Sequence, residues 1–201
     1  MEFIREASKT CRVSLGHSAA GYDAAMEAFE AGAGHVTHLF NAMPPLHHRE
    51  PGIIGAALDS GATAELICDG YHVHPSVVRA AFRLFGERLS LISDSLRCAG
   101  MPDGSYILGG QPILVREGQA TLPDGTIAGS SISLMEGVRR AVSFGIPLEA
   151  AVYAASAAPA AAAGLDAGVL ARGRPADLVL LDRELRIQAV FVDGRCLKPR
   201  G

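Results

Sequence analysis

The 201-residue sequence has no closely spaced pair of cysteines. Its four cysteines lie far apart and form no C-x-x-C motif, so neither a zinc knuckle nor a disulfide framework is expected. Single cysteines of this kind are usually small buried apolar side chains, and their use fits a reducing compartment. We therefore predict a cytoplasmic protein. The cysteines are Cys11, Cys68, Cys98 and Cys196.

Neither sign of charge dominates the chain. It has 18 Lys and Arg residues and 21 Asp and Glu residues, which gives a formal net charge of −3. The Lys and Arg residues are scattered and form no basic stripe on any predicted element. This pattern argues against a surface that binds nucleic acid.

The sequence also lacks a long apolar segment. The longest apolar stretch, Ala154–Ala163, is interrupted by Ser156 and Pro159 and is well below the ~20 residues needed to span a bilayer. The first seven residues mix charged and apolar side chains at helical spacing, unlike the apolar core of a signal peptide. We therefore expect neither a membrane span nor export.

Up to about Asp94 the chain alternates short apolar runs with amphipathic stretches. This βαβα rhythm predicts an α/β fold with a parallel sheet covered by helices. Four parallel strands make only half of an eight-stranded barrel. The predicted strands are Cys11–Leu15, His35–Leu39, Ala64–Cys68 and Leu89–Ser93, and the predicted helices between them include Ala20–Ala31 and Pro75–Phe85.

Beyond Asp94 the pattern changes to short strands separated by Asp-Gly and Gly-Gly turns, which predicts β-hairpins. Two helices and two further strands then complete the chain. The predicted hairpin strands are Ser105–Leu108, Pro112–Val115 and Gln119–Leu122, the helices are Ser131–Phe144 and Pro147–Ala162, and the closing strands are Asp177–Asp182 and Leu185–Val192.

All seven histidines lie between positions 17 and 74. His17 and His38 are 21 residues apart, one strand-to-strand repeat, and both follow a predicted strand, where a parallel α/β barrel has its active site. Neutral imidazoles on adjacent strand ends can share one divalent cation, with zinc or iron favoured by nitrogen ligands. A structural or surface role remains the alternative for each histidine.

Three further features of the sequence could each have either a functional or a structural role. Asp94 follows the last predicted barrel strand and suits a general base, although it could simply cap a turn. Arg49 with His47 and His48 forms a cationic loop that could receive an anion or pair with a surface glutamate. The turn at residues 129–131 could offer backbone N–H groups to a ligand or could cap a helix.

Taken together, six motifs resemble N-acetylglucosamine-6-phosphate deacetylases of the amidohydrolase superfamily in order and spacing. A seventh run, Pro175–Leu181, is similar to the return of such a chain into its small β-sandwich domain. The motifs are Gly16-His17-Ser18, Thr37–Met43, Arg49–Gly52, Asp69–Val73, Ser93-Asp94 and Ala128–Ser131.

The resemblance implies the C-terminal half of a (β/α)8 TIM-like barrel plus part of a small β-sandwich domain. Residues 1–104 would be the partial barrel with the metal and catalytic residues, and residues 105–125 a β-hairpin excursion. Residues 126–164 would be barrel helices and residues 165–201 the return strands of the sandwich. The side chains expected to face the barrel interior are Val13, Val36, Leu66 and Ile92.

The resemblance also implies the roles of individual residues. His17 and His38 would bind the single divalent metal ion, zinc or iron, and Asp94 would be the acid/base residue. Arg49 and His72 would contact the phosphate end of the substrate. The other substrate contacts would be Asn41, Ala42, Ile127, Ala128 and Gly129.

The implied reaction converts N-acetylglucosamine 6-phosphate to glucosamine 6-phosphate and acetate, and the full-length family form is expected to be a homodimer. Family members carry, well before the Gly-His-Ser motif, a glutamate that completes the metal site. Here only sixteen residues precede His17, so the chain is expected to lack that ligand and to have two open strand edges. Two alternatives remain, a non-catalytic truncated remnant and an amidohydrolase that acts on cyclic amides.

Overall fold

The main sheet has four parallel strands. The structure, a computed structural model, describes residues 1–197, and its strands follow the order β1-β2-β3-β4 with parallel pairing throughout. All four predicted strands are present, and their bounds are shifted by at most three residues. The strands are β1 (Val13–Leu15), β2 (Ala33–Val36), β3 (Thr63–Ile67) and β4 (Leu89–Ile92).

Helices connect these strands and cover one face of the sheet. Helix α4 begins and ends at the predicted residues, because Pro75 suits a first turn and the His74 side chain accepts the N–H of Ser76 as an N-cap. The helices in this part are α1 (Glu2–Ala7), α2 (Tyr22–Glu30), α3 (Gly52–Ser60) and α4 (Pro75–Phe85), with a 3-10 turn at Gly86–Arg88.

Helix α3 is not predicted by the sequence pattern. Its first six residues, 52–57, are all buried, so the apolar side chains do not mark one face at the 3.6-residue period that identifies a half-exposed helix. The helix begins after Pro51 and ends at Gly61, whose φ of 75° provides a left-handed C-cap.

The prediction of barrel-facing side chains is wrong at three of its four positions. Val13 packs against the core that the sheet shares with its helices. Val36 and Leu66 are fully buried in the core that the sheet shares with its helices. Because side chains alternate along a strand, the opposite face of the sheet takes His35, Thr63 and Glu65, and the His35 ring contacts both Thr63 and Glu65. The apolar residues were assigned to the wrong face because hydrophobicity alone does not distinguish the helix side from the barrel side.

An antiparallel sheet follows the parallel one, with strand order β5-β6-β7-β8. The three predicted hairpin strands are present, and β8 is an additional strand. Residues 129–131 were expected to form a turn before a helix, and this prediction is wrong at Gly129 and Ser130, which belong to β8. The strands are β5 (Gly104–Leu108), β6 (Gln111–Arg116), β7 (Gln119–Thr121) and β8 (Ile127–Ser130).

Three helices and a third sheet complete the described chain. The helix predicted over Pro147–Ala162 is divided into two at Ser156, whose backbone is not helical. Residues 198–201 of the last predicted segment lie outside the described residues. The elements are α5 (Leu134–Ser143), α6 (Leu148–Ala155), α7 (Ala157–Ala163), β9 (Leu178–Leu181), β10 (Ile187–Val192) and β11 (Arg195–Leu197), the three strands being antiparallel.

Strands β1 and β4 are the two edges of the parallel sheet within residues 1–197, as predicted. Just beyond β4 the chain is paired, because Ser95 forms a parallel bridge with Ser130 at the end of β8. No helix in the described part of the chain has both the length and the apolarity to cross a bilayer.

Candidate active site

His17, His38, Asp69 and Asp94 hold equivalent positions after the four parallel strands. Each is the second residue beyond the end of β1, β2, β3 or β4, respectively. Because neighbouring parallel strands end at the same edge, these four residues lie along the carboxyl edge of the sheet, where barrel enzymes have their active sites. The predicted metal ligands and the predicted acid/base residue therefore share one edge, together with Asp69.

The backbone at three of these residues is left-handed. The φ angles are 46° at His17, 29° at His38 and 45° at Asp94, and Phe40 and Ala42 in the loop after β2 are also positive. Five of the eight non-glycine residues with positive φ among residues 1–197 thus belong to these loops. Such conformations cost of order 1–3 kcal/mol each and are concentrated at functional sites. The loops after β1, β2 and β4 therefore have the strain expected of an active site.

The rings of His17 and His38 form an edge-to-face pair. Their centroids are 4.7 Å apart and their planes make an angle of 76°. His38 is buried, and its Nδ1 has no hydrogen-bond partner among the described residues, which leaves a buried polar atom that a cation could satisfy. The pair therefore fits a divalent cation that prefers imidazole ligands. Within residues 1–197 no group of three or more potential metal-binding side chains occurs.

Glu65 lies beside His38 on the face of β3 opposite the helices. Its Oε2 accepts the backbone N–H of His38 at 3.4 Å, and its Oε1 is 3.1 Å from Nε2 of His35. Burial favours the neutral carboxyl, but the hydrogen bonds from the His35 side chain and the His38 N–H hold the pKa of Glu65 below its ordinary value. An ionised carboxylate thus contacts the loop that carries His38.

Strand β8 brings the predicted sugar-binding segment against Asp94. The N–H of Ser130 donates to the carbonyl oxygen of Asp94 at 3.0 Å, and the N–H of Leu96 donates to the carbonyl oxygen of Ser130 at 2.8 Å. Residues 127–129 therefore adjoin the exposed Asp94. Of the two interpretations of residues 129–131, the helix cap is wrong, because Ser133 caps helix α5 instead.

The loop after β2 contains three predicted substrate contacts. The side-chain amide of Asn41 donates to the carbonyl oxygens of His38 at 3.3 Å and Leu39 at 3.2 Å, which fixes the turn. Ala42 and Arg49 are exposed. The Arg49 guanidinium forms no hydrogen bond or ion pair with the rest of the described chain, and no contact joins it to His72 there. The alternative of a surface Arg–Glu pair at Arg49 is not observed.

Asp69 has a role that the sequence analysis missed. Its Oδ2 is 2.6 Å from Nδ1 of His72, and its Oδ1 accepts the backbone N–H groups of Tyr71 and His72, each at 2.9 Å. Burial alone would raise the pKa of the Asp69 carboxyl, but the hydrogen bonds from His72 and Tyr71 hold the pKa below its ordinary value. Two features of the sequence could have identified Asp69. It follows its predicted strand as His17, His38 and Asp94 follow theirs, and it lies three residues before His72.

Comparison with known proteins identifies the family. The model of the amidohydrolase family matches residues 1–197. An N-acetylgalactosamine-6-phosphate deacetylase from Escherichia coli is 42% identical over 188 residues, which are 92% of this chain and 50% of that protein. The chain spans about half the length of the curated relatives it matches.

Two solved structures are similar to this chain over nearly all its length. N-acetylglucosamine-6-phosphate deacetylase from Pasteurella multocida superposes with a TM-score of 0.94 at 34% identity, over 98% of this chain and 53% of that one. An Asp-to-Ala mutant of the Mycobacterium smegmatis enzyme, solved in complex with N-acetyl-D-glucosamine-6-phosphate, gives 0.93 at 41% identity, over 97% of this chain and 54% of that one. The motifs, the fold and the family match agree, and this chain belongs to the amidohydrolase family.

Proposed function

We propose that the protein containing this chain hydrolyses the N-acetyl group of N-acetylglucosamine 6-phosphate, with glucosamine 6-phosphate and acetate as products. The observation that carries the proposal is the equivalent placement of His17, His38 and Asp94 after three parallel strands. The names of the similar enzymes support the substrate class, and one of them was solved in complex with this sugar phosphate.

The reaction would use one divalent cation, zinc or iron, held by His17 and His38. When bound, such an ion polarises an amide carbonyl and increases the acidity of water. The edge-to-face pair of rings and the unpaired Nδ1 of His38 among the described residues support this assignment. Because two imidazoles provide fewer ligands than the usual three of a catalytic site, they alone should bind the ion weakly.

Asp94 would transfer the proton in both halves of the reaction. It takes a proton from water as the water oxygen bonds to the amide carbon, and it gives that proton to the nitrogen as the carbon–nitrogen bond breaks. Its exposure at the sheet edge supports this role, since the carboxylate is accessible to water and substrate.

The other site residues would bind the substrate. Arg49, whose guanidinium has no partner in the described chain, would bind the phosphate, and His72 would contribute from the loop after β3. The loop after β2 and strand β8 would contact the sugar, because one adjoins His38 and the other adjoins Asp94. The sugar-contacting residues would be Asn41, Ala42, Ile127, Ala128 and Gly129.

The chain would consist of part of a barrel and part of a smaller β-sandwich domain. The parallel strands and their helices would form the C-terminal half of a (β/α)8 barrel, with metal and catalytic residues within 1–104. Residues 105–125 would be the β excursion, 126–164 the later barrel helices and 165–201 part of a β-sandwich. A cytoplasmic homodimer is the expected form, supported by the cysteine pattern and the family resemblance.

The test is an acetate-release assay on the purified protein with added Zn²⁺ or Fe²⁺. Substrates are the 6-phosphates of N-acetylglucosamine and N-acetylgalactosamine, unphosphorylated N-acetylglucosamine and a cyclic amide. Turnover of N-acetylglucosamine 6-phosphate above all others supports the proposal. Preference for the galactosamine epimer, as the name of one relative suggests, would correct the sugar. Preference for the cyclic amide, or no turnover of any substrate, would contradict the proposal.

A further inference from the structure

We propose that Asp69 is a positioning residue that acts through His72. Its carboxylate holds the Nδ1–H of the imidazole and leaves Nε2 to hydrogen-bond an oxygen atom of the substrate. The identity of that substrate rests on the proposed function, whereas the relation between Asp69 and His72 does not.

The two oxygens of Asp69 have different tasks. Oδ1 accepts the N–H groups of Tyr71 and His72 and so closes the turn after β3, a task that an asparagine performs equally well. Oδ2 contacts Nδ1 of His72 at 2.6 Å. Because the turn needs only Oδ1, the buried second oxygen is explained by the imidazole and not by the turn.

The carboxylate also determines which ring nitrogen carries the proton. An ionised aspartate only accepts hydrogen bonds, so the proton of a neutral His72 ring lies on Nδ1. Nε2 has no hydrogen-bond partner among the described residues and is the nitrogen left for a ligand. Nε2 of the neutral ring accepts a hydrogen bond, so a contact with a phosphate or carbonyl oxygen requires a proton on Nε2 as well, and the Asp69 carboxylate is then the counter-ion of the ring.

Packing against helix α5 keeps this turn in place. The Arg140 guanidinium donates to the carbonyl oxygen of Asp69 and lies over the Tyr71 ring, 5.5 Å from its centroid. Gly70, with φ 76°, is covered by Phe144, whose Cζ would be 3.1 Å from an added Cβ. Arg140 also pairs with Glu136 at 3.2 Å, and Glu136 pairs with Arg139 at 3.2 Å as well. The backbone that carries Asp69 and His72 is therefore fixed on both sides.

Asp69→Asn separates the two tasks. The amide oxygen can still close the turn, but the amide nitrogen now donates toward Nδ1 and favours the Nε2–H tautomer of the neutral ring. The side-chain nitrogens of His72 are followed by ¹H–¹⁵N correlation in the full chain labelled with ¹⁵N-histidine. We expect the Nδ1–H form in the wild type and the Nε2–H form in the variant. The same tautomer in both proteins would overturn the proposal.

Ligand binding provides a second readout, which does not depend on whether Asp69→Asn folds. His72→Asn keeps an amide nitrogen near Nδ1, so its bond to Asp69 can persist while Nε2 is lost. His72→Gln places an amide near Nε2 but gives up the bond to Asp69. For His72→Asn we expect an unchanged free energy of unfolding but no ligand binding. For His72→Gln and for Asp69→Asn we expect ligand binding to weaken by roughly 10–100-fold, the usual effect of removing a residue that orients a binding side chain.

The probes are inorganic phosphate, N-acetylglucosamine and N-acetylglucosamine 6-phosphate. Their affinities for the wild type and all three variants are measured by titration calorimetry, and His72 shifts report the contact where the histidine is present. A response to phosphate alone assigns Nε2 to the phosphate, and a response to the unphosphorylated sugar assigns it to the acetamido carbonyl. No response to the sugar phosphate, or equal affinity in wild type and His72→Asn, would overturn the proposal. Failure of the proposed function gives a different result, in which the tautomer exchanges as expected but no acetate is released.

Discussion

The imidazole rings of His17 and His38 meet edge to face with 4.7 Å between their centroids, although the two residues follow different strands. The contact exists because β1 and β2 are neighbours in the sheet and each histidine is the second residue after its strand. One ring is exposed and the other is buried with an unpaired Nδ1 in the described chain. The pair is therefore the part of the edge best suited to a cation.

We predict that Zn²⁺ binds to this pair and that either His17→Ala or His38→Ala removes the binding. The affinity for Zn²⁺ should fall by more than roughly 100-fold. This loss exceeds the 10–100-fold that is typical when a residue hydrogen-bonded to a metal ligand is removed. Zn²⁺ titration, followed through the shifts of the remaining histidine, measures the effect. His74→Asn is the control, since asparagine keeps the N-cap of α4 while an imidazole is removed. Equal Zn²⁺ affinity in His38→Ala and wild type would contradict the assignment.

We predict that Gly129→Ala destabilises the fold by about 1–3 kcal/mol, because the residue has φ 147° and its new Cβ would lie 2.8 Å from Cδ2 of Leu96. The double variant with Leu96→Ala should relieve the clash but not the backbone strain. Gly34→Ala is the control, since no atom lies within 4 Å of its Cβ position. Urea unfolding provides the measurement. Equal stability of Gly129→Ala and Gly34→Ala would show that β8 adjusts freely beside Asp94.

The ionised state of Asp69 should make the fold sensitive to acid. Its pKa is lowered in the folded chain, so its contribution to stability is complete above the unfolded value of about 4. That contribution is lost as the pH falls through the lower folded pKa. Unfolding free energies of wild type and Asp69→Asn should therefore differ most near neutral pH and converge in acid. A difference that stays constant or grows toward low pH would contradict the prediction.

The parallel strands and helix α4 could be predicted because each has a complete local signal. Apolar runs bounded by turns mark the strands, and Pro75 with the amphipathic pattern marks the helix. Helix α3 has no such signal, because it is buried on most sides. The face of Val36 and Leu66 was also beyond the sequence, since it depends on which side of the sheet the helices cover.

The position of the candidate site residues at the carboxyl edge of the sheet could be predicted from the sequence, but their backbone geometry could not. Histidine spacing and motif order pointed to His17, His38 and Asp94, yet nothing in the sequence indicates that all three have left-handed backbones. The sequence places Asp69 within a motif but does not predict its role, because its bond to His72 depends on the turn that Oδ1 closes. The contact of β8 with Asp94 was missed since residues 127–130 have too short an apolar run to mark a strand.

Arg49 should determine the preference for a phosphorylated substrate. Removal of one partner of a desolvated charge pair costs on the order of 2–5 kcal/mol, so Arg49→Ala should raise KM for N-acetylglucosamine 6-phosphate and leave KM for N-acetylglucosamine unchanged. Arg49→Lys is the matched variant and should recover part of the loss, because lysine retains the charge but not the bidentate geometry. Equal losses on both sugars would remove phosphate recognition from Arg49.

The most direct test of the account is the effect of Asp94→Asn on acetate release, with metal content and substrate affinity measured in the same preparations. The exposed Asp124→Asn, whose turn bond to Thr126 an asparagine can also make, is the control. We predict that Asp94→Asn retains metal and substrate binding while kcat falls by roughly 10²–10⁴-fold, the contribution of a positioned acid/base group. Near-normal turnover in Asp94→Asn would contradict the proposed function of this edge of the sheet.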